Sequence, residues 1–278
     1  MTDYILGKSI IVTGAGSGFG KLLSEKAAAA GACVTCTDIN AQGIEQVVDA
    51  ITKAGGTALA VVADVSDIDA MKAMAAKAVA AYGRIDVIVN NAGVMPLAFY
   101  ADHENAIGNW HRCIDINLKG VLNGIVSVYD QMIEQGEGHV INVSSIYSHH
   151  PVAGSGVYQA TKIGVRYLSE SLRVEAQGKI KVTVIRPTGV PGTGLGAGMV
   201  DPHALVGIAG QNTPQYVGEM REMMAGTLAP ELTDSNDIRN IALDPGIIAE
   251  NILYAINQPM GVSIGDMTIR TAGEHFIL

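Results

Sequence analysis

The chain has 278 residues, 48% of them hydrophobic, and a formal net charge of −9 at pH 7. A chain of this length and hydrophobic content can bury a continuous core in one domain. Its acidic balance argues against a nucleic-acid-binding protein. No run of about 18 apolar residues predicts a membrane span, and the N-terminal sequence lacks a basic region followed by a long apolar one. We therefore expect a cytoplasmic protein that does not bind membranes.

The three cysteines cannot form a closed set of disulfides, which fits the reducing cytoplasm. Cys33 and Cys36 form a C-x-x-C pattern, but they fall in a predicted strand, where residues three apart point to opposite faces. We therefore predict neither a metal site nor a redox pair.

The first thirty residues predict a strand, a glycine-rich turn and a helix. The strand covers residues 9–12, and T-G-A-G-S-G-F-G at residues 13–20 leads into a helical pattern that ends at Gly31. Glycines allow positive φ and close approach of a phosphate, which the helix N-terminus attracts. The predicted cofactor contacts are Gly14, Ser17, Gly18, Phe19 and Gly20. The alternative is a turn that is rich in glycine for steric reasons alone.

The next predicted strand, residues 32–37, ends at Asp38, which lies 24 residues after Gly14 (38 − 14 = 24). A carboxylate at this place can accept hydrogen bonds from an adenosine ribose diol and would repel a 2′-phosphate. The flanking residues offer no compensating cation. The sequence therefore favours NAD over NADP as the cofactor. The alternative is that Asp38 is a solvated residue at a strand end.

After Asp38 the pattern alternates between helices and short apolar strands. Predicted helices cover residues 41–54 and 67–81, and predicted strands cover residues 58–63 and 85–89. This alternation, with strands apolar on both faces, indicates a parallel sheet covered by helices on each side. The predicted fold class is therefore α/β, a single-domain Rossmann-type doubly wound parallel sheet spanning the chain. Ligands bind at the carboxyl ends of such strands.

In the middle of the chain, N-N-A-G at residues 90–93 ends a strand, where small and amide side chains would let a flat ring lie. A helix at residues 104–113 then leads into a longer one that ends near Gln135. Asn117 is a polar residue inside this otherwise apolar helix. The pattern alone favours a buried amide with satisfied hydrogen bonds.

Residues 138–168 combine a serine, a tyrosine and a lysine. A strand at residues 140–143 precedes a loop and a helix from about residue 157, so Tyr158 and Lys162 lie on one helix face and Ser145 reaches them across the loop. A cation about 4 Å from the phenol contributes roughly 4 kcal/mol at an effective dielectric near 20. We therefore predict that Tyr158 titrates near working pH and performs acid-base chemistry at a carbonyl. The alternative is an ordinary surface Tyr–Lys pair.

A strand at residues 181–186 is followed by a glycine- and methionine-rich segment at about residues 188–235. Its composition suits an adaptable apolar lid with a short helix at residues 214–224; the alternative is a poorly ordered surface excursion. The remaining predictions are a helix at residues 237–258 despite Pro245, a last strand at residues 262–269, and an apolar tail at residues 276–278 suited to a partner subunit.

Taken together, these motifs resemble the short-chain dehydrogenase/reductase family over nearly the whole chain. The family's T-G-x-x-x-G-x-G matches residues 13–20 and its N-N-A-G matches residues 90–93. Its helix asparagine matches Asn117, and its serine and Y-x-x-x-K match Ser145, Tyr158 and Lys162. Ordered matches at the family's spacing are specific, so the resemblance implies this family's fold and chemistry.

The resemblance implies that Tyr158 exchanges a proton with the substrate oxygen while Ser145 polarises it. Lys162 would lower the tyrosine pKa and bind the nicotinamide ribose, and Asn117 would hold a water that relays protons. The family's adenine and ribose contacts correspond to Asp64, Val65 and Asn90, and further cofactor contacts correspond to Asn91, Ala92, Gly93, Tyr158 and Lys162. The nicotinamide carboxamide would meet Pro187, Thr188, Val190 and Thr193. Here the sequence departs from the family's Pro-Gly-x-Val-x-Thr, because Thr188 replaces the glycine and the threonine comes one residue late.

Substrate contacts are expected from Met95, Ser145, Tyr147 and Tyr158. The flanking segments are apolar, with Arg221 as the only nearby cation, which favours an uncharged secondary alcohol or ketone that is cyclic or aromatic. His149 and His150 could contact a polar substrate group or be exposed loop residues without that role.

The predicted function is hydride transfer between NAD(H) and such an alcohol or ketone, as an NAD-dependent short-chain alcohol dehydrogenase. The alternatives are an NADPH-dependent ketone or 3-ketoacyl reductase and a non-catalytic dinucleotide sensor. The family usually forms homotetramers or homodimers, so a homotetramer or homodimer is expected.

Overall fold

The computed structural model describes residues 3–277 and contains a seven-stranded sheet in which all neighbouring strands are parallel. The strands are β1 (Ser9–Thr13), β2 (Cys33–Asp38), β3 (Thr57–Val62), β4 (Val87–Asn90), β5 (Gly138–Val143), β6 (Ile180–Pro187) and β7 (Asp266–Ile269). Their order across the sheet is β3-β2-β1-β4-β5-β6-β7. The winding direction reverses between β1 and β4, which opens a crevice at their carboxyl ends. The predicted doubly wound α/β fold is confirmed.

Helices cover both faces of the sheet. They are α1 (Gly18–Ala29), α2 (Ala41–Lys53), α3 (Ile68–Tyr82), α4 (His103–Ile114), α5 (Gly120–Gln135), α6 (Gly156–Glu175), α7 (Leu205–Ala209), α8 (Thr213–Ala225) and α9 (Pro245–Ile256). None of the helices within residues 3–277 has the length and apolar content needed to cross a bilayer.

Strand β1 contributes side chains to two hydrophobic cores, one on each face of the sheet. Its side chains alternate between the faces of the sheet, so Ile10 and Val12 pack in one buried cluster and Ile11 in the other. The first cluster lies under α1, α2 and α9, and the second lies under α3, α5 and α6. The sheet is therefore fixed from both sides, and only its edges and strand ends reach solvent.

The helix predicted for residues 237–258 is wrong in its first third, because α9 begins only at Pro245. Proline has no backbone N–H and restricts the residue before it to extended conformations, so it suits the first helical position. Asp244 is extended and caps the helix, with its side chain accepting from the Gly246 N–H at 2.5 Å. Residues 237–244 form turns instead.

Two further predicted elements differ in extent. The last strand is limited to β7, half the length of the predicted segment at residues 262–269. The long helix predicted to contain Asn117 is interrupted by a π-helical turn at Asp115–Lys119, between α4 and α5. Such wide turns are rare and occur frequently at functional sites.

The C-terminal tail also differs from its prediction. Phe276 packs inside the molecule between Tyr147 and Tyr216, with ring centroids 6.2 Å and 5.5 Å away. The prediction that residues 276–278 serve a partner subunit is therefore wrong for Phe276; Leu278 lies outside the described residues. The glycine- and methionine-rich segment that the tail contacts contains α7 and α8 together with four short 3₁₀ turns.

Candidate active site

A cavity of about 1380 Å³ opens at the carboxyl ends of the strands. Every predicted cofactor, catalytic and substrate contact except Asn90 and Asn117 lines it. Residues from the glycine-rich turn, the ends of β2 to β6, the π-helical turn and the segment after β6 all contribute. The fold therefore gathers motifs that are 174 residues apart in the chain into one crevice, since Gly14 and Thr188 both line it (188 − 14 = 174).

The glycine-rich turn is a backbone cradle. Gly14 and Gly18 have φ of +67° and +55°, values that other residues rarely adopt. A Cβ on Gly20 would lie 2.3 Å from the Gly14 carbonyl oxygen, so only glycine allows α1 to start so close to the turn. The first turn of α1 presents its free N–H groups to the cavity, as a phosphate site requires.

The end of the cavity beside β2 carries two carboxylates. Asp38 accepts hydrogen bonds from the Gly16 N–H at 3.0 Å and the Asn40 N–H at 2.9 Å, so its side chain is held at the strand end. Asp64 follows β3, the strand paired with β2, and it also lines the cavity, together with Ile39, Ala63, Val65 and Ser66. None of these lining residues is Lys or Arg.

The two asparagines after β4 have different roles. Asn91 lines the cavity and donates to the Thr13 carbonyl at 2.8 Å, which joins the ends of β1 and β4. Asn90 is buried away from the cavity, donates to Asn142 at 2.8 Å and packs where a Cβ on Gly124 would lie 2.0 Å from its Oδ1. The family's adenosine contact at Asn90 is thus a structural residue of the sheet here.

Asn117 lies on the π-helical turn and is fully buried. Its Oδ1 accepts from the Val94 N–H at 2.9 Å and its Nδ2 donates to the Val94 carbonyl at 2.8 Å. The amide therefore fixes the chain just after the N-N-A-G stretch, as the satisfied buried amide favoured by the pattern. A Cβ on Gly93 would lie 3.3 Å from Asn117 Oδ1 and 3.6 Å from Lys162 Nζ, so this glycine brings both side chains close together.

Ser145 and Tyr158 meet at the buried end of the cavity. Ser145 follows β5 and is 4% exposed, and its Oγ accepts a long hydrogen bond of 3.3 Å from the Tyr147 N–H, which leaves the hydroxyl proton unused. Its hydroxyl proton is therefore available for donation. Tyr158 is also 4% exposed, in the first turn of α6, and borders the same cavity.

The environment of Tyr158 differs from the predicted one. Burial raises its pKa to about 12, and the Ser145 side chain acts in the opposite direction as a hydrogen-bond partner. The prediction that Lys162 brings this phenol to titrate near working pH is wrong for the protein alone. Lys162 Nζ lies 5.7 Å from the ring centroid and donates to the Val143 carbonyl at 2.9 Å. Burial also lowers the pKa of Lys162 to about 8, so the site favours the neutral amine over the ammonium.

Gln159 holds the loop between β5 and α6, residues 144–155 and here called the catalytic loop, against α6. Its Oε1 accepts from the Val152 N–H at 2.9 Å and its Nε2 donates to the His150 carbonyl at 2.7 Å. Because Gln159 follows Tyr158 directly, this clamp sets the distance between the tyrosine and the Ser145 loop. The sequence gives no signal for this role beyond a polar residue on a buried helix face.

Thr188 provides a test of whether a nicotinamide ring fits the site. Its Oγ1 is buried, lines the cavity and has no hydrogen-bond partner within residues 3–277. A buried hydroxyl without a partner costs free energy, so such an atom points to a polar ligand group. A carboxamide would satisfy it, and the glycine cradle at the other end accepts a pyrophosphate. The residues present therefore fit a nicotinamide dinucleotide, although Thr188 departs from the family's glycine.

Apolar side chains form much of the rest of the cavity lining. The predicted contacts Met95 and Tyr147 are joined by residues that the sequence analysis did not assign to the site: Met199, Leu205, Ile208, Tyr216, Val217, Met220, Met223, Met224 and Phe276. The prediction that Arg221 is the only nearby cation is wrong, because Arg112 also lines the cavity. Only the methionine content of α8 signalled that its residues face a site.

His149 and His150 are exposed and lie outside the cavity lining. His149 contacts Arg186, and burial together with the nearby Arg186 and Arg166 lowers the pKa of its imidazole. These contacts match the expectation of loop histidines without a substrate role.

The chain is similar in sequence to known oxidoreductases. The family model described as short chain dehydrogenase matches residues 8–201. An uncharacterized oxidoreductase of Staphylococcus saprophyticus is 31% identical over 275 residues, which cover 96% of this chain and 97% of that protein.

Solved structures show the same fold. A metagenomic short-chain oxidoreductase in complex with NADP is 26% identical, with a TM-score of 0.72 over 96% of this chain and 98% of that one. The 3-ketoacyl-(acyl-carrier-protein) reductase of Brucella melitensis, complexed with NADH, is 24% identical with a TM-score of 0.76, over 97% and 99% of the two chains. These neighbours carry different nicotinamide dinucleotides.

Proposed function

The chain belongs to the short-chain dehydrogenase/reductase family of oxidoreductases, and from that membership we propose that it interconverts an apolar secondary alcohol and its ketone with NAD(H). The observation that carries this proposal is the meeting of Ser145, Tyr158 and Lys162 at the buried end of a cavity that the glycine-rich turn also lines. A dinucleotide sensor without catalysis would not need these three groups together.

In the proposed reaction, Tyr158 exchanges a proton with the substrate oxygen. With a pKa of about 12, the phenol is protonated at neutral pH and is ready to donate to a ketone oxygen. The Ser145 hydroxyl, whose proton is available, donates to the same oxygen and stabilises the charge that develops there. The bound nicotinamide supplies or accepts the hydride.

Lys162 and Asn117 support the tyrosine. The Lys162 ammonium stands between the Val143 carbonyl and the phenol and is placed to favour the phenolate when an alcohol is oxidised. Asn117 holds the backbone at Val94 beside Lys162. We propose that Lys162 and Asn117 help to relay protons between Tyr158 and solvent and that Lys162 positions the nicotinamide ribose.

The proposed cofactor is NAD. A carboxylate at Asp38 about 4 Å from the charge of a 2′-phosphate would cost roughly 4 kcal/mol at an effective dielectric near 20. The residues that follow Asp38, Ile39 and Asn40, supply no cation to offset that repulsion. A ribose diol would instead donate to Asp38.

We also propose a lid, a cytoplasmic location and an assembly of identical subunits for this protein. The segment at residues 188–235 acts as a lid, since its apolar residues complete the cavity. Cys33, Cys36 and Cys113 are free thiols, which fits the cytoplasm. A homotetramer or homodimer is proposed from the exposed apolar residues on α4, α5 and α6.

The test is a parallel assay with NAD and NADP against aromatic, alicyclic and aliphatic secondary alcohols, following reduced-cofactor absorbance. We expect turnover with NAD, and loss of about 10³-fold or more in Tyr158→Phe with cofactor binding retained, because the acid-base group is removed. Tyr167→Phe is the matched control, since Tyr167 lies on the same helix and is 71% exposed.

Three results would contradict the proposal. Retained turnover in Tyr158→Phe would exclude the assigned acid-base role. Tighter binding of NADPH than NADH would exclude the NAD preference and favour a ketone or 3-ketoacyl reductase. Binding of NAD without turnover of any alcohol in the panel would favour the sensor.

A further inference from the structure

The C-terminal strap, defined here as residues 270–277, lies across the substrate end of the cavity. Its Phe276 ring stands edge-on to Tyr147 from the catalytic loop, at 6.2 Å between centroids, and 5.5 Å from Tyr216 of α8. Phe276 also borders the cavity and is only partly buried. One aromatic side chain therefore joins the catalytic loop to the lid and leaves part of its own surface open to the site.

The strap is attached to the lid by backbone hydrogen bonds and by one contact between two side chains. Asn212 donates from Nδ2 to the His275 carbonyl at 2.9 Å, and the Ile277 N–H donates to the Ile208 carbonyl at 3.2 Å. His275 Nε2 lies 2.5 Å from Glu219 Oε2, and both side chains are largely buried. These contacts fall on both sides of Phe276, so they set its position relative to α8.

Two glycines leave room for the strap. A Cβ on Gly189 would lie 2.6 Å from the Phe276 ring, and a Cβ on Gly210 would lie 2.4 Å from Ile277. Gly189 follows Thr188, whose unpartnered hydroxyl marks the nicotinamide end of the site. The Phe276 ring therefore packs directly against the loop at Thr188 and Gly189. In the proposed reaction, the reacting carbon of the substrate lies beside this loop.

We infer that Phe276 is a specificity-determining residue that packs against a ring borne by the carbinol carbon of the substrate, and that His275 positions it through Glu219. This inference rests on the proposed function, and it deepens it by assigning the ring contact to the strap. Aromatic pairs favour edge-to-face or offset contacts at ring distances of about 4.5–7 Å, and the Tyr147–Phe276–Tyr216 cluster offers such contacts to a third ring. An alkyl substituent would lose most of this contact.

The test compares Phe276→Ala with wild type on 1-phenylethanol and on 2-butanol at saturating cofactor. We expect the KM for 1-phenylethanol to rise about tenfold relative to that for 2-butanol, because the ring contact is lost while the reacting groups are unchanged. His275→Ala should move the same ratio in the same direction, and His275→Gln should restore it because its amide can donate to Glu219. NADH affinity should stay within about twofold of wild type.

Ile277→Ala is the matched control, since Ile277 belongs to the strap and lies outside the cavity lining. An equal change for both alcohols in Phe276→Ala, or the same change of ratio in Ile277→Ala, would overturn the inference by showing a general loosening of the strap.

A binding measurement separates this inference from the proposed activity. If wild type oxidises neither alcohol, the proposed function fails, and calorimetric titration of acetophenone and 2-butanone into the NADH-loaded protein tests the strap alone. Preferential binding of acetophenone that Phe276→Ala removes would support the ring contact. Equal binding of the two ketones, or no binding of either, would overturn it.

Discussion

Lys162 is a buried cation in a site that favours its neutral form. The side chain is 4% exposed and donates to one carbonyl, that of Val143. Burial lowers its pKa from 10.5 to about 8. Since the unfolded chain keeps the ordinary value, the folded protein carries a penalty for the ammonium at every pH below about 8. The buried ammonium of Lys162 thus lowers the stability of the fold, and the proposed chemistry needs this charge beside Tyr158.

We predict that Lys162→Met stabilises the fold at pH 7 while it abolishes turnover. Between about pH 8 and 10.5 the unfolded chain holds more protons than the folded one, so wild-type stability rises with pH and the penalty disappears. The free energy of unfolding of the variant should exceed that of wild type by about 1–3 kcal/mol at pH 7, after the lost hydrogen bond is taken into account. The gap should close by pH 10.5.

Urea unfolding at pH 7 and pH 10.5 measures this difference. Lys179→Met, at an exposed position, is the control and should show no pH-dependent gain. A variant that is less stable than wild type at both pH values would show that the Lys162 ammonium stabilises the fold.

At the level of single residues, sequence identifies groups with chemical roles better than it identifies their surroundings. Ser145, Tyr158 and Lys162 could be found from their spacing, because α-helical geometry fixes which residues share a face. The burial that raises the Tyr158 pKa comes from the packing of the lid and the catalytic loop, which no local pattern encodes. Gln159 and Arg112 were missed for the same reason.

Within single elements, the sequence predicted regular repeats well and irregular backbone poorly. The strands were found because their apolar runs are short and bounded by glycines or polar residues. The π-helical turn was missed, since Asn117 looks like one polar residue in an α-helical repeat. The Asn117 side chain bonds both backbone groups of Val94, and this long-range contact accompanies the wide turn.

Strand β5 contains a buried histidine that makes the fold sensitive to acid. Thr183 Oγ1 donates to the Ile264 carbonyl at 2.7 Å, so it accepts from His139 Nε2, which lies 2.8 Å away. His139 therefore carries a proton on Nε2. Burial, with Lys181 and Lys8 nearby, lowers its pKa to about 3.

We predict that His139→Gln flattens the loss of stability in acid. Between pH 6.5 and about 3 the unfolded chain binds a proton that the folded chain does not, so stability falls as pH falls, at up to about 1.4 kcal/mol per pH unit. From pH 7 to pH 5, wild type should lose about 2 kcal/mol more than the variant. The variant itself should be less stable at pH 7, because glutamine replaces a fitted ring.

Chemical denaturation at pH 7, 6 and 5 checks this prediction, with His103→Gln at an exposed helix start as the control. Parallel pH profiles for wild type and His139→Gln would contradict it.

For the whole molecule, topology explains why distant motifs form one site. The reversal of winding between β1 and β4 places the glycine-rich turn beside the N-N-A-G stretch, and β5 lies next to β4 with Ser145 at its end. This arrangement could be predicted, because parallel strands place their carboxyl ends at one edge. The position of the strap could not be, because Phe276 reaches the site through contacts with α8 rather than through a sequence repeat.

An exposed apolar surface on α4, α5 and α6 is the remaining feature at this scale. Ile163, Tyr167 and Val174 share one face of α6, and Tyr167 and Val174 are 71% and 74% exposed. Leu122 and Val126 add an apolar pair on α5. Such a surface on helices that pack side by side is typical of contact between identical subunits.

We predict that the protein sediments as a homotetramer or homodimer and that Tyr167→Glu shifts it towards smaller species. In a two-fold symmetric contact each substitution appears twice, so two buried carboxylates should weaken association by tenfold or more, on the order of 1.4 kcal/mol at least. Sedimentation velocity at several concentrations measures the change.

Ile238→Glu is the control, because Ile238 is 78% exposed outside these helices and its substitution should leave the mass unchanged. A wild-type protein that remains monomeric at micromolar concentration would contradict the proposed assembly, and it would leave the apolar faces of α5 and α6 to a different partner.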